Sequence, residues 1–195
     1  MKHVWIAIVR LFGWKFDVPE PGTRPEIKRC VIIEAPHTSI YDFLLGAACV
    51  WKLKTPARFF IKDGFFNWFT KPFLHWAGAI PVDRGNRKNH LVDQALNFYK
   101  QYPEFSMIIT PEGTRKKVHR WKRGFYEIAT QANVPIVLSY INYKSRHMGL
   151  GPTIYPSGDF NKDMVKIMSF YKDVTARHPE NFNSDVSVYE EKNEK

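Results

Sequence analysis

Apolar positions along the chain fall into two alternating kinds of run. Short β-type runs occur at Cys30 to Ala35, Ala57 to Lys62, Ala79 to Val82, Phe105 to Thr110 and Pro135 to Tyr143. Between and after them, apolar residues recur at helical spacing from about Ser39 to Leu53, Phe65 to Trp76, Asn89 to Tyr102, Gly124 to Ala132 and Phe160 to Arg177. Strand–helix alternation of this kind predicts an α/β fold: a single layered domain with a mostly parallel or mixed central sheet flanked by helices. In such sheets chemistry gathers where strands end and helices begin. A Pro-rich stretch from Val18 to Pro25 sets an N-terminal segment, 1–17, apart from a body at 26–180. Apolar periodicity is lost from about Ser184, so 181–195 is expected to be a frayed tail.

Length and composition add bounds. A chain of 195 residues is the size of one domain, and its 25% charged content is that of a globular protein, which excludes a wholly disordered chain. Lys and Arg number 29 against 19 acids, a net charge of +10, which suits an anionic partner: nucleic acid, a membrane surface or a phosphate-bearing substrate. Cys30 and Cys49 lie in apolar runs without C-x-x-C spacing and read as reduced core residues. The N-terminal apolar stretch is cut by Arg10 and is too short to span a bilayer. Two readings stand for segment 1–17: a helix packed on its own domain, or an amphipathic helix in lipid headgroups, with Trp5, Phe12 and Trp14 suited to that boundary.

The common nucleotide-loop, dinucleotide, serine-hydrolase and zinc-protease motifs are all missing. Three polar clusters remain, each directly after a strand. In Pro36-His37-Thr38-Ser39-Ile40-Tyr41-Asp42, Ser39 is a natural N-cap and Asp42 falls at the third helical position, where its carboxylate can fold back toward the His37 imidazole. A carboxylate there would fix the tautomer of a base that abstracts a hydroxyl proton; the same residues could equally form only a capping box. Beyond the third strand, Arg84 and Arg87 could grip a phosphate, or form a solvated turn. In Thr110-Pro111-Glu112-Gly113-Thr114-Arg115, Gly113 would let backbone N–H groups approach a ligand, Arg115 adds fixed charge, and Glu112 could bind substrate hydroxyls, orient an arginine or cap the turn.

Taken together, the clusters resemble the lysophospholipid acyltransferase family, the PlsC-like 1-acylglycerol-3-phosphate acyltransferases. The resemblance rests on His37 and Asp42 with four residues between them, on Gly78, Ile80, Val82 and Arg84, on Pro-Glu-Gly-Thr-Arg at 111–115, and on Val-Pro-Ile-Val at 134–137. It implies a PlsC-like fold and transfer of a fatty acyl chain, in phospholipid biosynthesis, from an acyl-CoA or acyl-acyl carrier protein thioester to a lyso-lipid hydroxyl. His37 would be the general base and Asp42 its orienting acid. Lys62, Arg84, Glu112, Gly113, Thr114 and Arg115 would hold the acceptor's head, with no metal or bound cofactor. The chain departs from the family at Pro36, Thr110, Lys116 and Leu138, several of which border the acceptor site, so a non-phosphorylated lyso-lipid is an alternative acceptor to 1-acylglycerol-3-phosphate.

From Arg115 to Arg123 six of nine residues are Lys or Arg around Trp121, a run suited to an anionic membrane, the phosphates of CoA or an acidic carrier protein. Trp121 would anchor at a lipid interface. Phe65, Phe66, Trp68, Phe69, Phe73 and Trp76 read first as core, and otherwise as a second apolar surface. The expected protein is a peripheral enzyme on the cytoplasmic face of a membrane, not secreted. A nucleic-acid-binding or purely lipid-binding domain is the contrasting class, disfavoured by the absence of a nucleic-acid-reading motif and by the presence of a base with its acid.

Overall fold

The run Val31-Ile32-Ile33 is apolar on every residue, and a strand of that kind belongs where both faces are covered. In a computed structural model, which describes residues 2–20, 22–83 and 91–190, this run is the buried strand β2 (Val31–Glu34) near the middle of a sheet. The described chain runs α1 (Lys2–Leu11), β1 (Lys15–Asp17), β2, α2 (Ile40–Leu53), β3 (Ala57–Lys62), α3 (Lys71–Ala77), β4 (Ala79–Val82), α4 (Leu91–Gln101), β5 (Ser106–Ile109), α5 (Gly124–Gln131), β6 (Ile136–Asn142), β7 (His147–Ile154), α6 (Phe160–Tyr171) and α7 (Ser187–Glu190). The seven strands form one mixed sheet in the order β1-β7-β6-β2-β5-β3-β4. Strands β2 to β6 are mutually parallel, β7 is antiparallel to β6, and β1 runs parallel to β7.

Chain direction decides which face each helix covers. From β2 the chain crosses β5 to reach β3, whereas from β5 it crosses β2 in the other direction to reach β6. Right-handed crossovers then place α2 and α3 on one face and α4 and α5 on the other. Alternate residues of β2 follow: Ile32 packs with Ala47 and Leu53 of α2, while Val31 and Ile33 pack with Phe125 and Ile128 of α5 and Ile167 of α6. The loops leaving β2 and β5 therefore part to opposite faces and open a crevice between the two strand ends.

Five strands stand where the hydrophobic pattern predicts them; β1 and β7 are additional. Strand β7 holds two glycines and a proline, which hide it from a β-propensity reading. A Cβ at Gly149 would lie 2.0 Å from the Asp17 carbonyl oxygen, so β1 can lie against β7 only because the residue is glycine.

Among the described residues, the N-terminal helix and the segment before residue 191 pack onto the body. Helix α1 packs through Trp5, Ile6 and Val9 against α2 and the β6–β7 hairpin, and Trp5 Nε1 donates to the Leu44 carbonyl at 3.1 Å. Its opposite side leaves Val4, Ile8 and Leu11, with Phe12 beyond, exposed. Of the three side chains expected to suit a lipid boundary, Trp5 and Trp14 pack inward and Phe12 is exposed. The expected tail also differs: Phe182, Val188 and Tyr189 are buried, and the Tyr189 hydroxyl accepts the Trp121 backbone N–H at 2.6 Å.

The helix expected over 65–76 is interrupted. Asn67 Oδ1 accepts the N–H groups of Phe69 and Thr70, an Asn side chain competing with helical bonding, and α3 begins only at Lys71 with Pro72 in its first turn. The final helix likewise stops at Tyr171, and 172–178 continue as a strap across the start of α2. Cys30 and Cys49 are free and buried, with burial pushing the Cys30 thiol up to about 12.

Candidate active site

The crevice between β2 and β5 holds the first and third polar clusters. Their strands are neighbours in register, Ile33 beside Ile109, so the turns that follow lie side by side. Glu112 is buried in the second turn, and its Oε2 accepts the His37 backbone N–H at 2.8 Å. Glu112 thus ties the two turns together and positions His37 through the main chain, a role beside the expected one in holding substrate.

Ser39 caps α2 as predicted, and Asp42 completes the capping box. Asp42 Oδ2 accepts the Thr38 and Ser39 N–H groups, each at 2.8 Å, while Oδ1 accepts the Tyr143 hydroxyl at 2.6 Å. The same Oδ2 stands 3.3 Å from His37 Nδ1, off the line of a well-formed hydrogen bond. The capping box is formed, and it fixes the carboxylate where it faces the His37 imidazole. Burial alone would raise the Asp42 carboxyl, but His37, the Tyr143 hydroxyl and the Ser39 amide hold it below the ordinary carboxylate range. The His37 side chain is 19% exposed although Nδ1 itself is buried, so its accessible edge faces away from Asp42. A proton on Nδ1 toward Asp42 leaves Nε2 as the basic nitrogen.

Two further acids surround this pair. Glu34, at the end of β2, points to the α2 side as Ile32 does, so close to Gly46 that a Cβ there would lie 2.8 Å from Glu34 Oε1. Oε1 has no hydrogen-bond partner, and burial, then the Asp42 charge, raises the Glu34 carboxyl to about 8. Burial also raises Glu112 well above its ordinary value. At neutral pH Glu34 therefore keeps its proton, whereas Asp42 is held as the carboxylate.

Glu34 makes a stability prediction. Between the ordinary carboxyl range and about pH 8 the unfolded chain has released this proton while the folded chain keeps it. Folding is therefore progressively disfavoured as pH rises through that window, by on the order of 5 kcal/mol. Glu34→Gln is expected to gain more in Tm over the parent at pH 8 than at pH 5, and parallel melting curves across that range would refute the assignment.

The remaining predicted residues fall as follows. Lys62 is the exposed last residue of β3, beside β5. Gly113 takes φ +69°, and its N–H bonds the Thr110 carbonyl at 3.1 Å, closing the turn instead of reaching toward a ligand as expected. Thr114 Oγ1 accepts the Lys116 N–H, and Thr114 and Arg115 are exposed on the turn. Arg84 and Arg87 lie outside the described residues.

The basic run divides instead of forming one lipid-facing surface. Arg120 lies over the Tyr189 ring, Arg123 over Phe160, and the Lys122 side chain covers Gly113. Trp121 is buried with its ring against Tyr171, so it is no lipid anchor.

Two residues at the site were not anticipated. Tyr143, just past β6, supports Asp42; its place at a strand end next to the crevice was a usable signal. Arg177 was hidden inside an apparent helix. The strap brings it in: the His178 N–H bonds Thr38 Oγ1 at 3.2 Å, the Tyr143 N–H bonds the Thr175 carbonyl at 2.9 Å, and the Arg177 guanidinium lies 4.0 Å from the centre of the Tyr41 ring. A cation is thereby held over the first turn of α2, beside the His37–Asp42 pair.

The family model for acyltransferases matches residues 15–142, from β1 to the end of β6. The chain belongs to this acyltransferase family. Its fold is similar to that of the 1-acyl-sn-glycerophosphate (LPA) acyltransferase PlsC from Thermotoga maritima, at 15% identity and a TM-score of 0.57, with 80% of this chain and 68% of that chain covered. No curated protein sequence matches it significantly. Among the described residues no helix is long and apolar enough to cross a membrane.

Proposed function

We propose that this acyltransferase moves a fatty acyl chain from an acyl-CoA or acyl-acyl carrier protein thioester to the hydroxyl of a lyso-lipid, with 1-acylglycerol-3-phosphate as acceptor, at the cytoplasmic face of a membrane. The observation that carries the reading is the His37 imidazole set against the capped, buried carboxylate of Asp42 at the mouth of the β2–β5 crevice. His37 Nε2 takes the acceptor's hydroxyl proton as its oxygen attacks the thioester carbonyl, and Asp42 stabilises the imidazolium. Collapse of the tetrahedral intermediate breaks the C–S bond, and the imidazolium returns the proton to the leaving sulfur. Ester and free thiol result. Around this pair Lys62, Thr114, Arg115 and Arg177 supply donors and positive charge for a phosphate-bearing head, with Arg84 a further candidate; Gly113 shapes the turn that carries them.

Thiol release by the purified protein, measured with either thioester and with phosphorylated and non-phosphorylated lyso-lipids, tests the reading. The phosphorylated acceptor is expected to be used at least about tenfold better, one bidentate charge-assisted contact being worth that much. Arg177→Ala is expected to raise KM for that acceptor while leaving kcat nearly unchanged. Absence of thiol release with every acceptor contradicts the proposal.

A further inference from the structure

The segment between β3 and α3 is built as a rigid apolar knob. Asn67 Oδ1 accepts the Phe69 and Thr70 N–H groups at 3.1 and 3.0 Å, Thr70 Oγ1 accepts the Asn67 N–H at 3.1 Å and donates to the Phe65 carbonyl, and the Lys71 N–H returns to the Asn67 carbonyl at 2.9 Å. On this frame Trp68 and Phe69 stand 80% and 81% exposed, ring against ring at 4.5 Å, with Phe65 and Phe73 also exposed. Water gains nothing by leaving such rings bare, and a contiguous exposed aromatic patch marks an interaction surface.

Charge and position identify the partner. The knob is flanked by exposed Lys62 and Lys71, and the one acid between them, Asp63, turns its carboxylate onto the Gly64 N–H. Trp and Phe ringed by lysines suit the boundary of an anionic bilayer, where ring faces enter the acyl region and ammonium groups meet the headgroups. The knob leaves the same edge of the sheet as His37, because β3 is parallel to β2's neighbour β5. Phe73 reaches the Phe43 ring at 6.3 Å, and Phe43 follows Asp42 in α2. The apolar end of α1, Leu11 and Phe12, is exposed near this edge too, since Arg146, at the start of β7, bonds the Phe12 carbonyl.

From these features the structure assigns Phe65–Phe73 as the element that inserts into an anionic lipid surface and presents the His37 crevice to lyso-lipid in that surface. The inference deepens the lyso-lipid reading and rests on it for the purpose of docking. It also moves the lipid anchor away from Trp121. Because the knob is already ordered by its own hydrogen bonds, insertion requires little further ordering of the chain.

Sedimentation of the full chain with vesicles of phosphatidylcholine plus phosphatidylglycerol, and of phosphatidylcholine alone, tests it. The parent is expected to prefer the anionic vesicles. The doubly substituted Trp68→Ser/Phe69→Ser protein is expected to lose at least about tenfold in partitioning, as removal of two interfacial rings implies. The swapped Trp68→Phe/Phe69→Trp protein should bind as the parent does. Thiol release with a short-chain, water-soluble donor and acceptor should be the same in all three. Equal vesicle binding by the serine variant overturns the inference, as does a parent that ignores vesicles or a solution dimer that the serine variant dissociates. Knob-dependent vesicle binding by a protein that never releases thiol would keep this inference and remove the acyl-transfer reading.

Discussion

Replacing His37 with alanine is expected to lower kcat for acyl transfer by about 10²–10⁴-fold, the usual contribution of a positioned general base. The loss should fall on kcat more than on KM, since the imidazole acts on the proton in flight and not on the acceptor's head. Folding should be nearly untouched. The backbone N–H of His37, which Glu112 holds, survives the substitution, and Asp42 keeps its bonds from Thr38, Ser39 and Tyr143 when the ring goes. A melting temperature close to the parent's, together with lost thiol release, is the expected pair of results. Retained turnover in a folded His37→Ala protein would mean that another group deprotonates the alcohol.

Asp42→Asn is the second large effect, and it has two parts. Chemically, the amide cannot neutralise the imidazolium and leaves the ring free to adopt the wrong tautomer, so kcat should fall at least about 10²-fold. Structurally, the carboxylate accepts from Thr38, Ser39 and Tyr143 together, and an amide has only one oxygen to serve them. With that oxygen kept on the two N–H groups, the half-buried Tyr143 hydroxyl loses its acceptor, a loss of about 0.5–1.5 kcal/mol in stability. Tyr143→Phe separates the parts. It removes the 2.6 Å bond to Oδ1 but keeps the negative charge and the cap, so activity should fall far less than in Asp42→Asn. Equal losses in the two variants would show that orientation by Tyr143, and not the charge, is what His37 needs.

Much of this was legible in the chain because local rules and the fold agree. The all-apolar β2 run, the Ser39 cap and the offset of Asp42 each point to one strand-turn-helix unit, and the structure places them so. The α/β architecture followed from alternation alone. What escaped depends on contacts between distant segments. Strand β7 is poor in β-formers and exists because β6 and β1 pair with it on either side. The tie between Glu112 and the His37 N–H was not legible, because it depends on β5 lying beside β2. Trp121 sits in a run of cations yet is buried, since Tyr189, from a segment expected to fray, closes over it. Arg177 was masked by helical periodicity that the strap after Tyr171 breaks, and Phe65, Trp68 and Phe69, read first as core, are exposed where Asn67 interrupts the helix, as the alternative reading had them.

The most direct test of the account is a crystal structure of the protein with 1-acylglycerol-3-phosphate bound and no acyl donor present. The acceptor's free hydroxyl is expected within about 2.6–3.2 Å of His37 Nε2, hydrogen-bond reach for a base, with the phosphate turned toward Arg177 and the Glu112 turn. A hydroxyl seated out of reach of His37, or a lipid bound at the opposite edge of the sheet where the parallel strands begin, would contradict it.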